Sequence, residues 1–259
     1  MTSFDLSRIT QETSVNHVEY HETLDSTNKL AAELLPDLLP LRPALVLTAS
    51  QTAGRGRGTN AWWAKSGALT FSLVVNANDL ELPPERLPLI SLAVGLAVKN
   101  TIAEMLPQRQ VSIKWPNDVL INERKVCGIL VEQRISANQA ALIIGIGVNV
   151  NNSMTSAPED MSRRATSIFD VSGDTHDMTT VLISLLSQLD KAVSDLRHRP
   201  MMLLAQLNAC NILNGRTITI SLSGSEQTGE CKGVDEDGAI VLATDHGIQR
   251  VLAGTVSKW

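Results

Sequence analysis

The sequence predicts a mixed α/β domain on an antiparallel-rich sheet, followed by a small β-barrel module. Three observations carry this. Apolar runs of strand length recur up to about Leu213, several joined by tight turns that a doubly wound βαβ pattern does not use. One long segment, Pro88 to about Met105, is apolar on nearly every face and reads as a buried helix. Beyond about Leu213 the chain becomes a series of short strands punctuated by glycine turns. The boundary is placed at 212/213, giving domains 1–212 and 213–259.

In chain order, His17–Tyr20 reads as a first strand. Asp25-Ser26-Thr27-Asn28 supplies several N-caps for a short helix carrying Leu30, Ala31, Leu34 and Leu35, ended near Pro36. Ala44–Ala49 is a buried strand, Ser50–Ala61 a Gly-rich loop and Leu69–Val75 another strand. After the buried helix come strands Val111–Trp115 and Val119–Ile121 around a proline kink. Asn122-Glu123-Arg124 turns into Val126–Gln133, and Leu142–Val150 is fully buried. Thr179 or Thr180 caps a helix whose stripe is Leu182, Leu185, Leu186, Leu189, Val193 and Leu196. The last module reads as strands Arg216–Leu222, Gly229–Val234, Ala239–Leu242 and Gln249–Leu252, with turns at Ser223-Gly224, Asp237-Gly238 and His246-Gly247.

Composition narrows the function classes. The 259 residues are 43% hydrophobic and 19% charged, values of an ordinary globular chain that exclude disorder and fibrous classes. A formal charge of −5 argues against DNA as a partner. Cys127, Cys210 and Cys231 are odd in number and form no C-x-x-C pair, so neither a disulfide framework nor a zinc site is expected. Cys127, mid-strand, reads as core. With no signal peptide and no apolar run long enough to span a bilayer, no membrane association and a cytoplasmic location are expected.

Four segments carry candidate chemistry. Gln51-Thr52-Ala53-Gly54-Arg55-Gly56-Arg57-Gly58 leads to Trp62: alternating glycines let backbone N–H groups approach an anion, and the arginines add forked donors. Its spacing fits neither a Walker loop nor a dinucleotide fingerprint, and a flexible surface hairpin is the plain alternative. Lys114-Trp115-Pro116-Asn117-Asp118, followed by Lys125 and Gly128, presents an amide, a carboxylate and cations; a satisfied turn is its alternative. Gly145-Ile146-Gly147-Val148-Asn149 breaks an apolar strand with two glycines, either for close approach of a ligand or for a bulge. Asp25-Ser26-Thr27-Asn28 is a helix cap that can also meet a ligand. The five histidines are scattered and no Gly-x-Ser-x-Gly occurs, so no catalytic triad is expected.

Taken together and in this order, these segments resemble the biotin protein ligases over roughly residues 17–259. The resemblance implies a catalytic domain related to class II aminoacyl-tRNA synthetases, followed by an SH3-like barrel. It implies a two-step reaction. Biotin carboxylate attacks the ATP α-phosphate to give biotinyl-5′-AMP and pyrophosphate, and a carrier lysine then displaces AMP. Biotin and ATP are substrates, with Mg²⁺. The expected acceptor is the biotin carboxyl carrier protein of acetyl-CoA carboxylase.

By the same resemblance Ser26, Thr27, Asn28, Gln51, Gly54, Arg55, Gly56, Arg57, Lys125 and Gly128 bind biotin. Arg57, Trp62, Asn117, Asp118 and Asn149 bind the nucleotide, and Lys125, Arg57 and Asp118 are catalytic. No protein metal site is expected. The loop is expected to order over the ligand. Gly58-Thr59-Asn60-Ala61 replaces the longer basic stretch of some bacterial members, which puts adenylate retention in question. Repressor-type members carry an N-terminal winged helix-turn-helix. Here about 16 residues precede the first strand, so a ligase without operator binding is expected, as monomer or homodimer. The competing readings are a lipoate-type ligase, whose pocket would be an apolar tunnel, and a non-catalytic biotin or nucleotide sensor.

Overall fold

The computed structural model describes residues 4–63, 65–222 and 224–259. Thus Ser223 of the Ser223-Gly224 turn lies outside the described residues.

The first half of the chain runs α1 (Leu6–Glu12), β1 (His17–Leu24), α2 (Thr27–Glu33), α3 (Leu35–Leu38), β2 (Ala44–Gln51), β3 (Ala68–Asn76), α4 (Leu89–Met105), β4 (Val111–Lys114) and β5 (Asp118–Ile121). Then follow β6 (Arg124–Ser136), β7 (Gln139–Asn149), α5 (Glu159–Arg164), α6 (Ile168–Ser172), α7 (Met178–His198) and α8 (Pro200–Cys210). The last strands are β8 (Thr217–Leu222), β9 (Ser225–Val234), β10 (Ile240–Thr244), β11 (Gly247–Val251) and β12 (Thr255–Lys258).

The expected mixed α/β architecture is present. Seven strands form one sheet in the order β1-β2-β3-β7-β6-β5-β4. Only β1 and β2 run parallel; every other neighbouring pair is antiparallel. The tight β5–β6 turn works because Asn122 and Glu123 both take left-handed backbone (φ 47° and 66°), as a two-residue hairpin requires. The remaining five strands form a separate antiparallel sheet, β11-β10-β9-β8-β12.

Alternation along the strands sets two faces with different tasks. Leu45 and Leu47 of β2, Leu69 and Phe71 of β3, and Ile144, Ile146 and Val148 of β7 point into one core with α4 and α7. Each such side chain contributes about 1.5–3 kcal/mol when fully buried. α4 is buried along most of its length because it lies between this sheet and α7. On the opposite face Ala44, Val46, Val74, Ala141 and Ile143 pack under Ala31, Leu35, Leu38 and Leu39 of the α2–α3 region. Further along the same face the residues become Thr48, Thr70, Ser72, Gly145 and Gly147. A sheet face that changes from apolar to polar and glycine-rich while remaining covered is where the site lies.

Several sequence expectations need correction. Pro36 does not end the helical region; it sits in the first turn of α3, where its missing N–H costs nothing. α7 is capped by Asp177, whose carboxylate accepts from Thr180 N, rather than by Thr179 or Thr180. α1, α8 and β12 had no expected counterpart: they bury little beyond Ile9, Leu203 with Leu207, and Val256 respectively, too few to leave a period. Cys127 is core as expected, and burial pushes its thiol pKa well up. No helix among the described residues is long and apolar enough to cross a membrane.

The cavity between the glycine-paired strands and the C-terminal sheet

Strand register assembles one line of side chains across the sheet. Lys114 of β4 pairs with Asp118 of β5, Asp118 with Gly128 of β6, and Gly128 with Gly147 of β7. Gly147 then pairs with Thr70 of β3, and Thr70 with Thr48 of β2. Cross-strand partners share a face, so charge stands at one end of this line, hydroxyls at the other, and two glycines between. The Trp62 indole fills the notch they leave. A methyl group at Gly147 would lie 2.6 Å from Trp62 Nε1, and one at Gly128 would lie 3.5 Å from Trp62 Cε3. Of the two readings left open for the strand glycines, the structure shows close approach, here of the Trp62 side chain, and unbroken register instead of a bulge.

A cavity of about 330 Å³ opens along this line. Ser26, Thr27, Asn28, Gln51, Arg55, Gly56, Arg57, Trp62, Asn117, Asp118, Lys125 and Gly128 all line it. At the hydroxyl end, Gln51 Oε1 accepts from Thr27 N at 2.7 Å and from Thr27 Oγ1 at 3.2 Å. Asn28 is held on every side: Oδ1 accepts from Ser72 Oγ at 2.6 Å, and Nδ2 donates to Leu130 O at 3.2 Å and Glu132 Oε2 at 2.9 Å. Asn28 lies so tightly against Gly145 that a methyl group there would sit 2.8 Å from its Cγ. Fixed polar groups of this kind suit a neutral polar ligand head, because both donors and acceptors are already oriented.

The Gly-Arg segment is a closed hairpin over this end. Arg55 and Ala61 form a bridge, Gly56 N donates to Asn60 O at 2.8 Å, and Trp62 N donates to Gly54 O at 2.9 Å. Gly58 turns the tip with φ +61°, which few other residues adopt. Arg55 approaches Glu132 at 3.9 Å, linking hairpin to floor. Arg57 reaches the other module, where Nη1 donates to Gly254 O at 3.2 Å. Burial lowers the Arg57 pKa, an effect that Asp118 partly offsets.

At the charged end Lys125 Nζ meets Asp118 Oδ1 at 2.6 Å and lies 5.9 Å from the Trp62 ring centroid. Burial pushes the Lys114 amino group down as well; Asp118 opposes that shift, while Lys125 and Arg164 add to it. Asp118 is the carboxylate among these cations, so the end has a positive excess fit for a polyanion. Trp115 Nε1 donates to Gly238 O at 3.1 Å, and Thr255 and Val256 of β12 complete the wall. Both modules thus build the cavity.

Two expected residues stand elsewhere. Gly54 packs against Gln51 and Trp62 behind the lining. Asn149 donates to Thr166 O at 3.0 Å and accepts from Asn152 at 3.1 Å, and it does not line the cavity. Asn117 lines it, but its Nδ2 is committed to Ile129 O at 2.7 Å, as its alternative reading as a satisfied turn has it. Conversely, the sequence reading assigned no role to Thr70, which is 3% exposed, faces the cavity and has no partner for Oγ1. Nothing local marks Thr70, since threonine is ordinary in strands. Lys114, part of the Lys114–Asp118 motif, lines the cavity as well.

With this geometry in view, the comparisons decide the family. Residues 20–149 match the biotin/lipoate A/B protein ligase family, and residues 214–259 match the biotin protein ligase C-terminal domain. The chain belongs to the biotin/lipoate A/B protein ligase family. This family member is 32% identical over 245 residues to the bifunctional ligase/repressor BirA of Bacillus subtilis, covering 93% of this chain and 73% of that one. It is 30% identical over 242 residues to the biotin–[acetyl-CoA-carboxylase] ligase of Paracoccus denitrificans, covering 90% and 96%. Its fold matches the biotin protein ligase of Aquifex aeolicus in complex with biotin and ATP, with a TM-score of 0.79, 28% identity, and coverage of 93% and 97%.

Proposed function

We propose that this chain is an ATP-dependent ligase that activates biotin as biotinyl-5′-AMP and transfers it to a lysine of a biotin carboxyl carrier protein. The observation that carries this reading is the polarity of the cavity: neutral hydrogen-bonding groups at one end, cations at the other, and a tryptophan wall between. Biotin has the matching shape, a neutral ureido ring and a carboxylate at the far end of its tail. Ser26, Thr27, Asn28 and Gln51 receive the ring, and Arg55 and Gly56 close over it, with Gly54 supporting the hairpin from behind. Trp62, Asn117 and Asp118 face the nucleotide; Asn149 supports that side through its bonds to Thr166 and Asn152.

In the first step a biotin carboxylate oxygen forms a bond to the α-phosphorus, and the bond to the pyrophosphate oxygen breaks. Two anions must approach, so cations that neutralise both lower the barrier. Lys125 and Arg57 supply that charge, and Asp118 orients Lys125 through their 2.6 Å pair. No general base is needed, because the acid is already ionised. In the second step a neutral carrier amine attacks the carbonyl carbon, AMP leaves, and the amine proton is lost. Among the described residues no three His, Cys, Asp or Glu side chains converge. Mg²⁺ would enter with the nucleotide phosphates, as part of the substrate.

The catalytic domain, 1–212, is read as class II aminoacyl-tRNA synthetase-like, and 213–259 as an SH3-like barrel built from the five C-terminal strands. The acceptor follows from the Paracoccus relative's name, which makes acetyl-CoA carboxylase the source of the carrier domain. A cytoplasmic location accords with that acceptor. A lipoate-type ligase is the second reading, and the polar floor at Asn28 and Thr70 favours biotin over it.

The test is biotin-dependent exchange of labelled pyrophosphate into ATP, repeated with lipoate and with Lys125→Ala. Exchange with biotin alone, falling about 10²–10³-fold in the variant, is expected. A folded protein that binds biotin and exchanges with neither acid would leave only the sensor.

A further inference from the structure

Lys114 ends β4, lines the cavity, and has no ion-pair partner among the described residues; Asp118 attracts it without pairing directly, while Lys125 and Arg164 repel it. Its Nζ instead lies 4.7 Å from the centroid of the Trp259 ring. The Arg216 guanidinium lies 5.0 Å from the same centroid and pairs with Glu123 at 2.5 Å, in the β5–β6 turn. Trp259 is 37% exposed. The negative face of an indole attracts ammonium and guanidinium groups. It holds a lysine without neutralising it, which a carboxylate cannot do.

We propose that Trp259 is a positioning residue that fixes the Lys114 ammonium at the charged end of the cavity, to meet the polyphosphate of the nucleotide. This deepens the ligase reading above and rests on it. Four bonds in the lysine side chain are free to rotate, and no direct ion pair holds the amino group in place. Fixing it in advance removes an ordering cost from nucleotide binding. Arg216, anchored through Glu123, holds the ring in turn. Residues from β4, the β5–β6 turn and both ends of the last module therefore meet at one indole, and the C-terminal sheet contributes a part of the nucleotide site that the first domain lacks.

The test compares Trp259→Leu, Trp259→Phe, Lys114→Met and the Leu/Met double variant in pyrophosphate exchange, with ATP binding followed by calorimetry on the same proteins. Trp259→Leu should raise the KM for ATP roughly 3–10-fold and leave the KM for biotin unchanged. The phenylalanine variant, which keeps a ring face, should recover most of the loss. The double variant should be no worse than Lys114→Met alone. Multiplying losses in the double variant, or equal rises in both KM values, would overturn the proposal. Absence of exchange in the unmodified protein would sink the ligase reading instead, and the coupling would still be read from the calorimetric affinities for ATP.

Discussion

Gly145→Ala places one methyl group against the buried, fully engaged Asn28 side chain. The added carbon would lie 2.8 Å from Asn28 Cγ and closer still to Oδ1, where ordinary contact needs about 3.5 Å. Asn28 cannot yield freely. It is 3% exposed and engaged with Ser72, Leu130 and the Glu132 carboxylate. Overpacking at such a site costs about 1–3 kcal/mol, and losing a bond to a charged partner about 1.5–3 kcal/mol. The total is roughly 3–6 kcal/mol. At about 2 °C per kcal/mol for a chain of this size, the melting temperature should fall by roughly 6–12 °C. Because Asn28 lines the cavity, biotin affinity measured by calorimetry should fall at least about tenfold in step.

The decisive control is Asn28→Ala, which removes the side chain that the methyl group strikes. In that background Gly145→Ala should cost about 1 kcal/mol or less, since coupled neighbours are non-additive. An equal cost in both backgrounds would refute the steric argument. So would a Gly145→Ala protein that melts within 2 °C or so of the parent and binds biotin as well.

Gly147→Ala strikes Trp62 rather than the buried network. The hairpin can swing outward, so stability should change by less than about 1 kcal/mol, whereas displacing the wall by about 1 Å should lower the exchange rate roughly 10²-fold; a large stability loss with normal turnover would contradict this. The hairpin from Gly54 to Trp62 should show the fastest amide hydrogen exchange of the segments lining the cavity in free protein, and biotin with ATP should slow it strongly. Equal exchange with and without ligands would rule out closure.

Much of the site was legible because its signals are local. The Gly-Arg alternation, Lys114 to Asp118, and the run Asp25 to Asn28 each lie within a few residues, and the structure brings all three to one cavity, although Ser26, the N-cap of α2, makes no side-chain cap bond. The long apolar stretch became α4, and the shift to short strands past Leu213 became the second sheet. Elements with few buried side chains were not legible: α8 rests on Leu203 and Leu207, and β12 on Val256. Asn149 was expected on the nucleotide side through the family resemblance alone; in the fold its amide bonds Thr166 and Asn152.

The sequence by itself determined the residue types, the turns and the buried segments, since these follow from periodicity, glycine freedom and capping within short windows. Register belonged to the tertiary structure. That Gly128 lies opposite Gly147, with Asp118 and Thr70 flanking them, depends on pairings between strands far apart in the chain. That Trp62 settles over those glycines, that Thr70 is left with an unpartnered hydroxyl, and that Trp259 comes to rest on Lys114 are consequences of the same pairings. A one-residue slip in any of these strands would turn the whole line of side chains to the other face. Packing of the complete sheet is what selects the register that builds a site.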